Sequence, residues 1–297
     1  MTRNNAKNQQ LLTLIIKLII KKPLLLLFFL GLGGVWYAYH GYFAVKVDSA
    51  ISFKGLPQAQ TAVNPATWNK ILPSQAFTVG YSDKRGNPLW VVYKLKSVPA
   101  NAPLLKRPTH FTVDKRVDNQ VSHDDYDKSG YDRGHMAPNY AISSLYGKQA
   151  QLETFVMTNI TPQRPNLNRK LWQRLEEVEV KYFTQLAPMI WVTTGTVFDD
   201  KIETLKSAKN VEIPDAFYKV YAMQNGRKTY LIAFLMPQTV KGNEALDQYV
   251  VTVDKIEALT GLDFFHELPD DEENALESTL DTVAWKLAEV SRLPGRY

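Results

Sequence analysis

The chain has no cysteine among its 297 residues. Disulfide staples, thiol catalysis and cysteine-held zinc are therefore excluded, although this absence assigns no compartment. Internal repeats and low-complexity tracts are also missing. Acidic residues are absent from 1–46, where six basic residues stand: Arg3, Lys7, Lys17, Lys21, Lys22 and Lys46. The other 251 residues carry 29 basic and 30 acidic groups, so the net charge of +5 is no measure of affinity for polyanions. Charge is nevertheless uneven, with 16 basic and 11 acidic residues in 83–181 against 11 and 18 in 182–297. Any polyanion-binding surface must then be a local patch in the middle of the chain.

Length and composition, 45% hydrophobic and 22% charged, allow one large globular domain plus an appendage. The appendage is the amino terminus. Residues 24–39 are apolar without a charge, about sixteen residues against the roughly 20 needed to span a bilayer. Extension to Val45 reaches that length and adds Trp36, Tyr37, Tyr39 and Tyr42 as an aromatic belt. The cations before the run place residues 1–22 in the cytoplasm as a short basic segment, 23–45 as a single-pass anchor, and the remainder outside. A cleaved signal peptide is the rival reading, but tyrosine, histidine and phenylalanine occupy the small-residue cleavage positions. Residues 46–74, with Pro57, Pro65 and Pro73, read as a linker, leaving 75–297 as the main domain.

Chemistry concentrates in Tyr131-Asp132-Arg133-Gly134-His135-Met136-Ala137-Pro138-Asn139. Attack on a phosphodiester needs a base for the water and positive charge at the phosphoryl oxygens, and His135 and Arg133 can supply them from one short turn. A second segment begins at Thr158-Asn159-Ile160-Thr161-Pro162-Gln163 and runs to Asn168, Trp172 and Glu176. Eight residues separate Asn168 from Glu176, about two helical turns, so both fall on one helix face. An amide oxygen is a neutral hard ligand for a cation that keeps most of its waters, and a carboxylate two turns away can hold those waters.

Strands are expected at Phe77–Ser82, 89–95, 155–160, 189–194, 217–223 and 230–236. A helix is expected over 168–186, where Trp172, Leu175, Val178 and Tyr182 recur at helical spacing and Pro188 follows. A last helix is expected from Pro269 to about Val290, with acids in its first turn and Leu276, Leu280 and Trp285 as packing contacts. Strands and helices do not alternate, which argues for an α+β fold over a doubly wound sheet.

These segments together resemble the DNA/RNA non-specific endonucleases of the ββα-metal type, the group that includes mitochondrial endonuclease G. The likeness extends over roughly 75–270, through Val79-Gly80-Tyr81-Ser82, Ile213-Pro214-Asp215-Ala216-Phe217-Tyr218-Lys219 and Gly261-Leu262-Asp263-Phe264-Phe265. It implies a ββα-metal fold in which a catalytic hairpin and a metal-bearing helix pack on a central antiparallel or mixed sheet flanked by helices. It implies His135 as general base, and Asn168 as the single protein ligand of Mg²⁺, with Mn²⁺ as a substitute. Glu176 would hold metal-bound water and Arg133 would contact phosphate. Asn159 would set the His135 loop or touch substrate, while Asp132 would shape the turn. Relatives place an arginine one helical turn beyond Glu176, where this chain has Val180; Arg174 or Arg164 are its candidate replacements. Arg107 and Arg116 are both candidates for a further phosphate contact upstream.

The expected function is a Mg²⁺-dependent endonuclease acting on the DNA or RNA backbone, leaving 5′-phosphate ends, at the outer face of a bacterial cytoplasmic membrane. Two alternatives stand beside it: a catalytically silent nucleic-acid-binding protein on the same fold, and a phosphodiesterase for another substrate. A homodimer occurs among relatives, and no segment identifies an interface or an inhibitor partner.

Overall fold

A computed structural model describes residues 31, 33, 34, 51–61 and 63–295. Two units are distinguished, Met1–Val47 and Asp48–Tyr297. In the first, only Gly31, Gly33 and Gly34 are described, and they are helical. The expected anchor over 23–45 otherwise lies outside the described residues, among which no helix is long and apolar enough to cross a membrane.

The second unit is built on a seven-stranded sheet in the order β10-β9-β8-β7-β4-β3-β2, antiparallel throughout. Its strands are β2 (Lys70–Pro73), β3 (Phe77–Ser82), β4 (Asn87–Leu95), β7 (Ile190–Val197), β8 (Ala216–Asn225), β9 (Lys228–Pro237) and β10 (Val250–Val251). The linker expected over 46–74 is corrected here. Lys70–Pro73 pairs with β3 as an edge strand, Phe53 is buried, and β1 (Gln58–Ala59) pairs with β11 (Leu262–Asp263). Proline-rich composition concealed short strands that main-chain pairing at a sheet edge creates.

Side chains alternate across the central strands with a period of two, and both faces are covered. On β8, Phe217 and Tyr221 enter the core on one face, while Tyr218, Val220 and Ala222 enter the core on the other. The first face is covered by α1 (Asn139–Thr154, kinked at Gly147) and α2 (Gln173–Lys181). The second is covered by α3 (Val253–Thr260) and α4 (Asp270–Glu277). The architecture is the expected α+β one with a central antiparallel sheet.

Two expected elements differ. Residues 155–160 do not form a strand: Phe155 follows α1, Met157–Asn159 is a single 3₁₀ turn, and the strand β6 is Ile160–Gln163. The last helix stops at Glu277, and a separate short helix, α5 (Leu287–Val290), follows. The hydroxyls of Ser278 and Thr279 bond back to the Asn274 and Ala275 carbonyls as that helix ends, and Leu280 is exposed instead of packed. Trp285 is buried in the core as expected.

Candidate active site

The Asp-Arg-Gly-His run forms β5 (Asp132–His135), which pairs antiparallel with β6; β6 leads through Leu167–Trp172 into α2, giving a strand-strand-helix unit apart from the main sheet. Gly134 lies opposite Thr161, where a Cβ would collide with the carboxamide of the fully buried Gln163. His135 therefore sits at the end of a strand that only glycine lets approach its neighbour. The next residues are held by Asn159: its Oδ1 accepts from Ala137 N at 2.8 Å, and its Nδ2 donates to the carbonyls of Ala137 and Thr154, each at 3.0 Å. Asn159 is fully buried and these bonds engage both ends of its amide, so it fixes the His135 loop.

His135 is 8% exposed, with Phe155 edge-on at 4.8 Å between ring centroids and Phe111 tilted at 5.4 Å. The ring row continues through His123, which stacks on both Phe111 and His110. Nε2 is enclosed and makes no hydrogen bond, which leaves Nδ1 as the nitrogen that water in the cleft can reach. Burial, reinforced by the Arg107 guanidinium, pushes the imidazole pKa down to about 3, so the ring is neutral at pH 7.

Asn168 lies in a six-residue π-helical stretch, Leu167–Trp172, that leads directly into α2. Eight residues of α-helix would leave Asn168 and Glu176 roughly 80° apart around the axis. The wider π turn advances less per residue and reduces that offset, and both side chains line one cleft. Asp132 aims the amide. Its Oδ2 accepts from Asn168 Nδ2 at 3.0 Å, and because an ionised carboxylate only accepts, the nitrogen must face Asp132 and Oδ1 must face away. The same carboxylate takes two bonds from Arg169, at 2.8 and 2.6 Å. Asp132 thus does more than shape the turn.

Glu176 is half-buried on the cleft wall, and burial pushes its pKa up to about 7 against the pull of Lys219 and Arg107. Behind it lies a fully buried ion pair, Lys219 to Glu179 at 3.1 Å. Tyr221 donates to the same carboxylate at 2.7 Å, Tyr93 lies within hydrogen-bonding distance of both partners, and Lys219 stands 4.7 Å over the Trp172 ring.

The cleft has a volume of about 580 Å³ and brings His135, Arg133, Asn168 and Glu176 together, together with Arg107, Arg169 and Lys170. Arg133 is tied back to the His123 carbonyl and to Asp127, so its guanidinium is largely occupied. The two upstream candidates separate cleanly. Arg107 lines the cleft over the Phe155 ring, whereas Arg116 is held by Asp114 and the Pro73 carbonyl. Neither expected replacement for the missing helix arginine enters: Arg174 bonds the Glu244 carbonyl, and Arg164 lines a different depression. Arg169 and Arg107 supply cleft charge instead. Sequence reasoning also missed Phe111 and Phe155 as walls of the histidine; two rings far apart in sequence carry no local signal.

A sequence model of the DNA/RNA non-specific endonuclease family matches residues 57–271. A nuclease of Nostoc sp. is 27% identical over 240 residues, covering 76% of this chain and 84% of that protein. Human mitochondrial endonuclease G is 27% identical over 203 residues, covering 64% and 67%, and a Serratia marcescens nuclease is 34% identical over 150 residues, covering 50% and 55%. Among solved structures, a chain from the EndoG/EndoGI inhibition complex superposes with a TM-score of 0.62 at 26% identity, covering 73% of this chain and 89% of that one.

Proposed function

Because the chain belongs to the DNA/RNA non-specific endonuclease family and is a hydrolytic nuclease, we propose that it cleaves DNA and RNA with His135 as general base and one hydrated Mg²⁺ held at Asn168. The observation that carries this reading is the meeting, in one cleft, of a neutral buried imidazole with an amide oxygen that Asp132 turns outward. An amide oxygen and a carboxylate on one wall suit a hard divalent cation that retains most of its waters. When bound, that cation supplies positive charge to a phosphoryl oxygen and to the departing 3′ oxygen. Asn168 Oδ1 would hold it directly and Glu176 would hold its water.

The chain's own groups do the rest. His135 Nδ1 takes the proton of the attacking water, and its two flanking rings hold the imidazole in place. Arg107 and Arg169 draw the backbone phosphate into the cleft, Asn159 holds the loop that sets the imidazole, and Asp132 keeps Asn168 from rotating. These contacts recognise phosphate and carry no base information, so cleavage has little sequence preference and leaves a 5′-phosphate. The apolar residues 23–45 behind five cations support an inner-membrane anchor with the catalytic unit outside. Plasmid nicking by the full chain, with Mg²⁺ or EDTA, followed by end analysis, tests the proposal. Mg²⁺-dependent nicks with 5′-phosphate ends, lost on Asn168→Ala, are expected. DNA that is shifted on a gel but left uncut by the folded wild type would replace it with a silent binding protein.

A further inference from the structure

A second group of oxygen ligands lies on the other face of the sheet, where α3 and α4 pack. One carboxylate oxygen from each of Asp254, Glu257 and Glu277 lies within 4.8 Å of the others. Asp254 and Glu257 stand three residues apart on one face of α3, and Glu277 is the last residue of α4. Glu277 is the telling member. It is 4% exposed, its Oε1 is enclosed, and that oxygen accepts no hydrogen bond. A carboxylate buried without a partner is among the costlier things a fold can hold, and here it faces two more carboxylates. Glu273 and Asp263 add further negative charge nearby. Among the described residues none of the five forms an ion pair with lysine or arginine. Among the described residues the only hydrogen bonds that their carboxylates accept are the Glu257 Oε1 bond from Phe264 N at 2.7 Å and the Asp263 Oδ2 bond from Gln58 Nε2 at 3.1 Å.

We infer that Asp254, Glu257 and Glu277 form a divalent-cation site, separate from the catalytic cleft and suited to Ca²⁺, that ties α4 to α3. Ligand chemistry favours Ca²⁺ over Mg²⁺: Ca²⁺ accepts irregular shells of about six to eight oxygens rich in carboxylates, whereas Mg²⁺ demands near-ideal octahedral geometry and keeps several of its waters. Asp254 is exposed, so waters can complete the larger coordination shell from outside while Glu277 closes it from within. Burial and mutual repulsion raise Glu277 to about 9 and Glu257 to about 7, which means that charge here is unfavourable until something positive or a proton offsets it.

Calcium titration of the EDTA-treated full chain, followed by calorimetry and by thermal unfolding, tests this. An Asn168→Ala background removes the cleft as a competing site. One equivalent of Ca²⁺ should bind, and saturation should raise Tm by about 3 °C or more. Affinity should fall at least tenfold in both Glu277→Gln and Asp254→Asn. The second variant is an exposed, isosteric change that leaves the core intact should the first disturb packing. Absence of binding and of a Tm shift in the Asn168→Ala background would overturn the site in favour of shared protons. So would Ca²⁺ affinity unchanged in Asp254→Asn.

Discussion

Asp132 and Asn168 are 36 residues apart, yet one carboxylate oxygen decides which way the Asn168 amide points. Groups that orient a metal ligand commonly change metal affinity or activity by about 10–100-fold when removed. Asp132→Ala should therefore move the midpoint of Mg²⁺ activation upward by that range while the circular dichroism spectrum stays native. That His135, Asn168 and Glu176 would meet in one cleft was legible, because their residue types and spacing point to a single chemistry. The role of Asp132 was not, since an aspartate beside a glycine turn reads equally as turn chemistry. Nor could sequence choose Arg107 over Arg116, because the choice depends on Asp114 and the Pro73 carbonyl capturing the latter. In the sequence Lys219 is one residue of a β-rich run and carries no sign of burial; strand alternation puts it on the α2 side, where it meets Glu179 inside the core. Removing one member of such a pair strands the other, so Lys219→Met should cost about 3–5 kcal/mol in urea unfolding.

At the scale of elements, the β5–β6 pair depends on close approach at Gly134. Gly134→Ala forces its methyl group against Gln163 and should cost about 1–3 kcal/mol. Gly134→Ala combined with Gln163→Ala should lose less than the two substitutions sum to, which denaturant midpoints of the four proteins would show. The central strands were readable as β-rich runs, which burial on both sheet faces requires, and α2 from its helical spacing. The π turn was not, because nothing local in Leu-Asn-Arg-Lys-Leu-Trp distinguishes it from an α turn. Residues 155–160 misled for a related reason: their β-rich composition serves a bridge from Thr112 to Val156 and a 3₁₀ turn, while the pairing partner of β5 starts only at Ile160.

For the molecule as a whole, shifted groups set how stability varies with pH. His135 has its pKa lowered from 6.5 to about 3, so the unfolded chain takes up its proton first and stability is lost as pH falls below 6.5. Glu176, Glu257 and Glu277 are raised from 4.5, to about 7, 7 and 9, so stability is lost as pH rises above 4.5. In EDTA the Tm should therefore peak near pH 4.5, because above it three raised carboxylates outweigh one depressed imidazole. Divalent cations should raise it most on the alkaline side, where the carboxylates they hold are otherwise costly to ionise. A thermal-shift series across pH, with and without cation, checks both statements. The central claim is that His135 acts as the base while Asn168 serves the metal. The most direct measurement is the single-turnover rate of plasmid cleavage by the full chain against Mg²⁺ concentration, for wild type and His135→Ala. Loss of the base should lower the plateau by about 10²–10⁴-fold and leave the Mg²⁺ midpoint within about twofold. An unchanged plateau, or a midpoint displaced in its place, would contradict that division of roles.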